Sequence, residues 1–572
     1  MSLARRRPMT DMTHTDNRPT HTVNRLTHVA NRLTRAAIAM IAVTVAFATL
    51  PGCGGGQNGG RADSAAVAPV AVTDSMAAVL LTPYADTVYA SAAAVKATVT
   101  VYDKNTPGTV SSLADMYADA PGIMTFRGGP WRRAVYNGHV DQKPTTIDVI
   151  WEFTTDEDFT PTKYGRWGGG TGWTGQPLYV EWPDSCIKAQ RQGGGMTKDF
   201  GPREVIVGSL ACKLYFINFD TGLASRTPIA TGGNPIKGTP SLDPTLNGNL
   251  YVGQGVPAHR PFGAFTVDLR KHAITQFKAE DPKALRHWDA YDSSPLRLGQ
   301  FLFRPGENGI IYKYVVGADS LTLHSTLRYS VRGASPGIEA SMAACRNYGY
   351  TADNHGNVLC FNLNTLTPVW HYDIGDDVDA TPVLALEPDS TGRQHPYLYV
   401  CCEVDRQKDD GEARMAKLDA ENGRVVWLNT EPAVRYEDES EGKHFDGGYY
   451  GTPLVGTGDC EDLVFAHCVL NDDPRERNGV LRALDRRTGA EVYRTALRAY
   501  AWSSPVALTD SQGHMYIFTA DCWGFCYVLN GRDGKVLVKR HVGHNFESSP
   551  IVVGNNVVVG TRGKSIYRLA VR

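Results

Sequence analysis

Short aliphatic and aromatic runs, broken by polar turns, fill the chain from about residue 149 to its end. The clearest set is Pro505-Val506-Ala507-Leu508, Met515-Tyr516-Ile517-Phe518-Thr519, Phe525-Cys526-Tyr527-Val528-Leu529 and Val536-Leu537-Val538. Runs this short, rich in β-branched and aromatic residues, predict strands rather than helices. The turn before the fourth run is Asn530-Gly531-Arg532-Asp533-Gly534, and it returns as Asp419-Ala420-Glu421-Asn422-Gly423 and Asp485-Arg486-Arg487-Thr488-Gly489. Its Asp or Asn can hydrogen-bond its own backbone, and its final Gly takes the left-handed conformation. The strand that follows often carries an aromatic four residues past that Gly, as with Trp427 and Tyr493, and Trp370 takes the same place after the turn 362–366.

Each set of runs is announced by one or two small residues and a proline: Gly175-Gln176-Pro177, Gly238-Thr239-Pro240, Ser293-Ser294-Pro295, Thr381-Pro382, Gly451-Thr452-Pro453, Ser503-Ser504-Pro505 and Ser548-Ser549-Pro550. Glu339-Ala340-Ser341-Met342 is an eighth copy with Met in the proline position. The spacing runs from 40 residues (Met342 to Pro382) to 71 (Pro382 to Pro453). A repeat of this length holding four short strands predicts an all-β, eight-bladed β-propeller of four-stranded antiparallel blades. The last unit supplies only the strands 551–553, 557–559 and 566–569, whereas 149–153 is a strand without a unit. An N-terminal strand completing the last blade would close the ring and leave no sheet edge open. The long intervals imply insertions at 184–201, 389–396 and 429–447.

Three segments are expected: a signal over 1–53, a tether and poorly structured stretch over 54–123, and the propeller over 124–572. Arg25, Arg32 and Arg35 precede an apolar run, 36–50, too short to span a bilayer comfortably. Leu50-Pro51-Gly52-Cys53 then resembles a bacterial lipobox, which makes Cys53 the expected lipidation site. A lipid anchor there would place the chain in the cell envelope, tethered to the outer membrane by the flexible Gly-rich run 54–60. A net charge of −2 without a basic stripe gives no reason to expect nucleic acid. A monomer is expected. An exported chain meets oxidising conditions, and Cys522 and Cys526, flanking a turn, are the candidate disulfide.

Ala483-Leu484-Asp485, Thr488-Gly489 and Tyr493, followed by Ser503-Ser504-Pro505, resemble the repeat of quinoprotein (PQQ-type) propellers, and the leader Phe126-Arg127-Gly128-Gly129-Pro130 resembles exported members of that superfamily. The resemblance implies three functions: a non-catalytic binding platform, a PQQ-dependent dehydrogenase, or a scaffold for outer-membrane protein assembly. The adjacent Cys401 and Cys402 are similar to a vicinal disulfide of the dehydrogenases, but they sit in a strand pattern that points their side chains to opposite faces. PQQ is therefore not expected, and no hydrolase motif is present.

Repeat logic places all eight proline phrases on one face, around the channel. The residue three before each proline gives a ring: Thr174, Lys237, Asp292, Glu339, Asp379, Tyr450, Trp502 and Glu547, with Trp173 beside it. Asp292, Glu339 and Asp379 fall in consecutive blades, and their oxygens suit Ca²⁺. The aromatic residues suit sugars and cations. A ligand that is a glycan, a cation or a peptide is expected at this mouth, or a protein partner. The competing reading is that these residues only cap strands and bond neighbouring blades. The loop Trp167-Gly168-Gly169-Gly170-Thr171-Gly172-Trp173 is either a ligand loop or a tight turn leading into the first blade.

Overall fold

The computed structural model describes residues 80–572 apart from 135, 137, 160, 163–164, 174, 439–442 and 472–476. The expected signal, Cys53, the first part of the tether and Thr174 lie outside the described residues. Eight antiparallel sheets form an eight-bladed propeller. Their inner strands, in blades 1 to 8, are Leu178–Glu181, Ser241–Leu242, Leu296–Leu298, Ala343–Cys345, Val383–Pro388, Leu454–Val455, Val506–Thr509 and Ile551–Val553. Each follows directly on its proline phrase. Blade 8 is completed by Ile147–Thr154, which pairs with Ser565–Val571 from Ile147↔Val571 to Thr154↔Ser565. First and last parts of the propeller thus share one sheet, as the missing fourth strand required.

At six of the joints between blades the residue before the proline, or before Met342, has a specific task. The N–H of Ser294 donates to Ser341 Oγ, that of Ser341 to Thr381 Oγ1, and that of Thr381 to Thr452 Oγ1. Thr452 donates to Ser504 Oγ and Ser504 to Ser549 Oγ, while Gln176 donates to Thr239 Oγ1, all at 2.8–3.1 Å. A hydroxyl on one blade thus satisfies a buried amide on the previous one.

The described residues of 122–140 touch the inner strands in blade order. Gly122–Ile123 pairs with blade 1, and Leu242 N–H donates to Met124 O in blade 2. Ala344 in blade 4 donates to Pro130 O and Leu384 in blade 5 to Trp131 O; Thr509 in blade 7 donates to Gly138 O, and His139 N–H to Gly554 O in blade 8. Two buried arginines fix this strap. Arg127 donates to Pro505 O (2.8 Å) and Pro453 O (2.9 Å), and Arg132 to Met342 O (2.8 Å) and Ser294 O (3.2 Å). Charge-assisted donors suit buried backbone carbonyls such as these. The leader that the sequence marked as Phe126 to Pro130, with Trp131 and Arg132 after it, is therefore a plug.

The expectation of a poorly structured 54–123 does not hold for its described part. Val95–Val101 adds a fifth strand to blade 3, in register from Val95↔Val331 to Val101↔Ser325. Tyr84 stacks on Tyr348 at 4.4 Å. The Ala, Val and Thr residues of this stretch form an added edge strand with an exposed outer face. Of the expected insertions, 184–201 opens with a helix, Asp184–Arg191, whereas 389–396 only lengthens the hairpin of Val383–Pro388 with Gln394–Cys401. The third, 429–447, extends the strand Val425–Ala433 and adds a hairpin of Tyr436–Asp438 with Lys443–Phe445. Among the described residues no helix is long and apolar enough to cross a membrane.

Cys522 and Cys526 are both free, which corrects the expected disulfide. Cys526 sits in the strand Phe525–Asn530 among Val506, Phe518 and Val528, while Cys522 lies in the preceding turn and points its thiol to Phe546 O. The pleat and the turn aim the two sulfurs at different neighbours. Cys401 and Cys402 also part company: Cys401 joins a core with Tyr399 and Met415, Cys402 one with Leu398 and Val400.

Candidate functional site at the channel mouth

Four of the ring positions meet. Lys237 Nζ lies 2.7 Å from Asp292 Oδ2 and 3.5 Å from Glu339 Oε2. The same ammonium sits 4.3 Å from the centroid of the Trp173 ring, and Trp173 Nε1 donates to Glu339 Oε2 at 2.7 Å. Trp173 holds φ at 57°, a left-handed conformation rare for a bulky residue. Burial works against the Lys237 charge, but Asp292 and Glu339 outweigh it and raise its pKa. Burial alone would raise Glu339 too, yet Lys237 and the Trp173 N–H bring it below its ordinary value.

Asp379 lines the same cavity with Phe126, Trp173, Asp292, Glu339, Ser341 and Thr381. Its free interior is ≈ 20 Å³, about the space of one water molecule. Phe126 of the plug stands among these wall residues. Tyr450 and Trp502 extend the rim: they stack at 4.8 Å, and Trp502 meets Trp173 edge-on at 5.6 Å. Glu547 stands apart, 3.6 Å from Arg562 Nε and accepting from Asn545 Nδ2 at 3.0 Å.

The ring missed a second tier of acids. Glu307 is 1% exposed, and one of its oxygens comes within 4.8 Å of oxygens of Asp292 and Glu339. Arg286 is 3.9 Å away from it. Glu403 is 4% exposed, and its backbone N–H donates to Asp377 O at 2.8 Å. These side chains come from the turn between the second and third strands of blades 3 and 5. In compact blades that turn has a fixed offset: Glu307 is 12 past Pro295, Asn354 is 12 past Met342 and Arg562 is 12 past Pro550. The longer first hairpin of blade 5 moves Glu403 to 21 past Pro382 and hides it from the pattern.

Charge is unbalanced across the mouth. Asp292, Glu307 and Glu339 face Lys237 and Arg286, but among the described residues no cation comes within ion-pair distance of Asp377, Asp379 or Glu403. Burial, then the Glu339 carboxylate, holds Asp379 and Asp377 well above the usual range. Burial, then Asp379 and Asp377, does the same to Glu403. Glu307 Oε1, Asp377 Oδ1 and Glu403 Oε1 are buried with no hydrogen-bond partner. Buried polar atoms without partners are rare in folded proteins and ask for a reason.

The glycine loop serves packing. Gly168–Gly169 pairs with Glu157–Asp158, and Gly170 N–H donates to Thr155 Oγ1 at 2.8 Å. Ser209 Oγ of blade 1 donates to Gly170 O, and Thr171 N–H to Thr561 O of blade 8. A Cβ on Gly172 would lie 2.7 Å from Glu547 Oε2. The loop threads the join between the last and first blades, where side chains do not fit.

Repeat, blade number and closure together define an eight-bladed β-propeller that resembles the PQQ-like propeller proteins. Residues 477–572 match the family described as outer membrane protein assembly factor BamB. No curated protein matches the chain. Among solved structures, the quinohemoprotein alcohol dehydrogenase of Comamonas testosteroni is 13% identical with a TM-score of 0.52, over 80% of this chain and 82% of that one. Quinohemoprotein alcohol dehydrogenase ADHIIG of Pseudomonas putida HK5 is 10% identical with a TM-score of 0.53, over 81% and 82%. A europium-containing methanol dehydrogenase is 12% identical with a TM-score of 0.51, over 79% and 99%. At these identities the likeness is one of fold.

Proposed function

We propose that this chain is a non-catalytic binding platform of the cell envelope, anchored through Cys53, that presents its acidic channel mouth to a cationic ligand. The observation that carries the reading is the carboxylate excess: Asp292, Glu307, Glu339, Asp377, Asp379 and Glu403 against Lys237 and Arg286. Uncompensated buried carboxylates must take up protons or attract a cation. An anionic ligand would be repelled, and a neutral glycan would leave the charge uncorrected. The small interior of ≈ 20 Å³ speaks against a planar quinone, since ligand pockets span about 300–1,000 Å³. The divergent Cys401 and Cys402 cannot lie together against such a cofactor.

The test is thermal unfolding of the exported chain at low ionic strength with CaCl₂, putrescine or a glucose oligomer. Cations should raise the melting temperature and the sugar should not. Equal indifference to every cation would remove the reading. A second reading, a scaffold for outer-membrane protein assembly, is favoured by the match over 477–572. Depleting the protein in its host should then lower the level of folded outer-membrane proteins, and unchanged levels would eliminate it.

A further inference from the structure

Lys237 shows what this mouth does with an ammonium group. It places the group against two carboxylates, 2.7 Å and 3.5 Å away, and over an indole face at 4.3 Å. The triad of Asp292, Glu307 and Glu339 is close enough to hold a metal ion. Lys237 already occupies it, so a divalent ion there would meet a fixed positive charge among its own ligands. The uncompensated acids are on the neighbouring side of the cavity, in blade 5 and the connection leading into it.

That side repeats the surroundings of Lys237 without the cation. Asp379 lines the cavity wall beside Glu339. The Glu403 backbone N–H donates to Asp377 O at 2.8 Å; Asp377 raises the pKa of Asp379, both raise that of Glu403, and Glu403 in turn raises that of the Tyr450 phenol. Glu403, 96% buried by its 4% exposure, keeps Oε1 unpartnered. The aromatic wall is the Tyr450–Trp502 stack at 4.8 Å, joined to Trp173 at 5.6 Å.

We propose that the mouth has a second ammonium seat, built by Asp377, Asp379 and Glu403 under the Tyr450–Trp502 stack, which takes the alkylammonium group of a lysine side chain from a peptide partner. It rests on the cationic-ligand reading above and makes it specific. The aromatic wall is what separates this ligand from a metal ion. Divalent ions of the Ca²⁺ type take oxygen donors, and an indole face gives them nothing. An alkylammonium gains from both carboxylate and ring, and its methylene stem covers apolar surface on the way in. Asp379 opens the seat onto the cavity of ≈ 20 Å³, which has room for a group the size of a water molecule such as an NH₃⁺ head.

The experiment is calorimetric titration of the exported chain with the capped tripeptide Ac-Ala-Lys-Ala-NH₂, its Nε-acetyl form, n-butylamine and CaCl₂. The lysine peptide should bind at least tenfold more tightly than its acetylated form. Asp379→Asn combined with Glu403→Gln should weaken it at least tenfold, and Trp502→Ala severalfold. Both carboxamide changes relieve repulsion between buried acids, so the double variant should melt no lower than the parent, and Asp379→Asn alone serves as the second variant. Binding of n-butylamine supports the seat as well, and its affinity relative to the peptide tells a free amine from a side chain. Equal binding of the acetylated peptide overturns the seat. If CaCl₂ binds and the peptide neither binds nor competes, the cationic mouth stands and the ammonium seat falls. If no cation binds, both fall.

Discussion

Blades 4, 5, 6 and 8 and blades 2 and 3 solve the same joint in different ways. Each of these sheets has a register shift between its third and fourth strands, and the residue after the bulged position points at the next blade. In blades 4, 5 and 8 that residue is a tryptophan whose Nε1 donates to a carbonyl in the next blade's turn: Trp370 to Ala420 O, Trp427 to Arg486 O and Trp151 to Phe219 O, at 2.8–3.0 Å. Tyr493 of blade 6 donates to Gly531 O at 2.6 Å. In blade 2 it is Gln276, bonded in both directions to the backbone of Leu321 at 2.8 Å. In blade 3 it is the small Ser325, and Lys313 opposite reaches across instead, donating to Leu363 O, Asn364 O and Gly108 O.

The receiving turn matches what arrives. Under every aromatic lies a glycine with positive φ: Gly423 under Trp370, Gly489 under Trp427, Gly534 under Tyr493 and Gly222 under Trp151. A Cβ on Gly489 would lie 2.6 Å from Trp427 Cδ2. The turn that Lys313 meets carries Leu366 at φ 60° instead. A slim aliphatic stem tolerates a Cβ there and a ring does not. The glycine is therefore demanded twice, by the turn's handedness and by the ring above it.

The strongest way to break the contrast is Trp427→Ala, which opens a buried hole and leaves Arg486 O with Lys417 as its remaining side-chain donor. It should cost about 3–5 kcal/mol in urea unfolding, and a loss under about 1 kcal/mol would make the aromatic joints dispensable. Lys313→Met should cost about 2–3 kcal/mol, because the Leu363 and Asn364 carbonyls lose their donor. The equivalent Lys417→Met in blade 5 should cost less, since Trp427 still donates to Arg486 O. Equal losses at the two lysines would mean that Lys313 does not stand in for an aromatic.

Acid should find the aromatic half first. His467 of blade 6 is buried, bonded to Thr519 of blade 7 through Nε2, with Nδ1 unpartnered. Burial pushes its imidazole down to about 3, below the 6.5 of an unfolded chain. The unfolded state therefore binds the proton first. This contribution is intact above pH 6.5 and is lost as the pH falls toward 3. At pH 5 the loss should be about 2 kcal/mol, with faster amide exchange in blades 6 and 7, and His467→Gln should flatten that slope. The raised mouth acids Asp379 and Glu403 act with the opposite sign, since the native state binds their protons first.

Periodicity made the fold legible because the proline phrase, with Met342 in one copy, returns in all eight blades, and the turn before the fourth strand returns in several of them. The closing strand was legible for the same reason: the last unit lacked a fourth strand and 149–153 lacked a sheet. Lys237, Asp292, Glu339 and Asp379 could be placed together because they keep one offset from the proline. Glu403 could not, since its offset depends on hairpin length, and Asp377 lies outside the ring position altogether. The plug was readable only as a motif. Arg127 and Arg132 bond carbonyls of blades 3, 4, 6 and 7, and contacts so distant in sequence leave no periodic trace. Val95–Val101 was missed because a single added edge strand repeats nowhere.

The gentlest probe of the contrast is Gln276→Ala. The amide accepts from Leu321 N–H and donates to Leu321 O, so its removal exposes one donor and one acceptor at the outer part of the joint, where Gln276 is half-buried and water can reach. Neutral hydrogen bonds open to solvent contribute about 1 kcal/mol. The expected loss is therefore about 1 kcal/mol, measured by urea unfolding beside Trp427→Ala. Gln276→Trp sharpens the point. His272, not Gly, holds the left-handed position of its own blade's turn at φ 49°, and no glycine-floored turn waits across the joint at Leu321. A tryptophan at 276 should therefore destabilise the protein rather than restore the joint seen in blades 4 and 5. A gain in stability would show that the receiving glycine is not what decides between a ring and an amide.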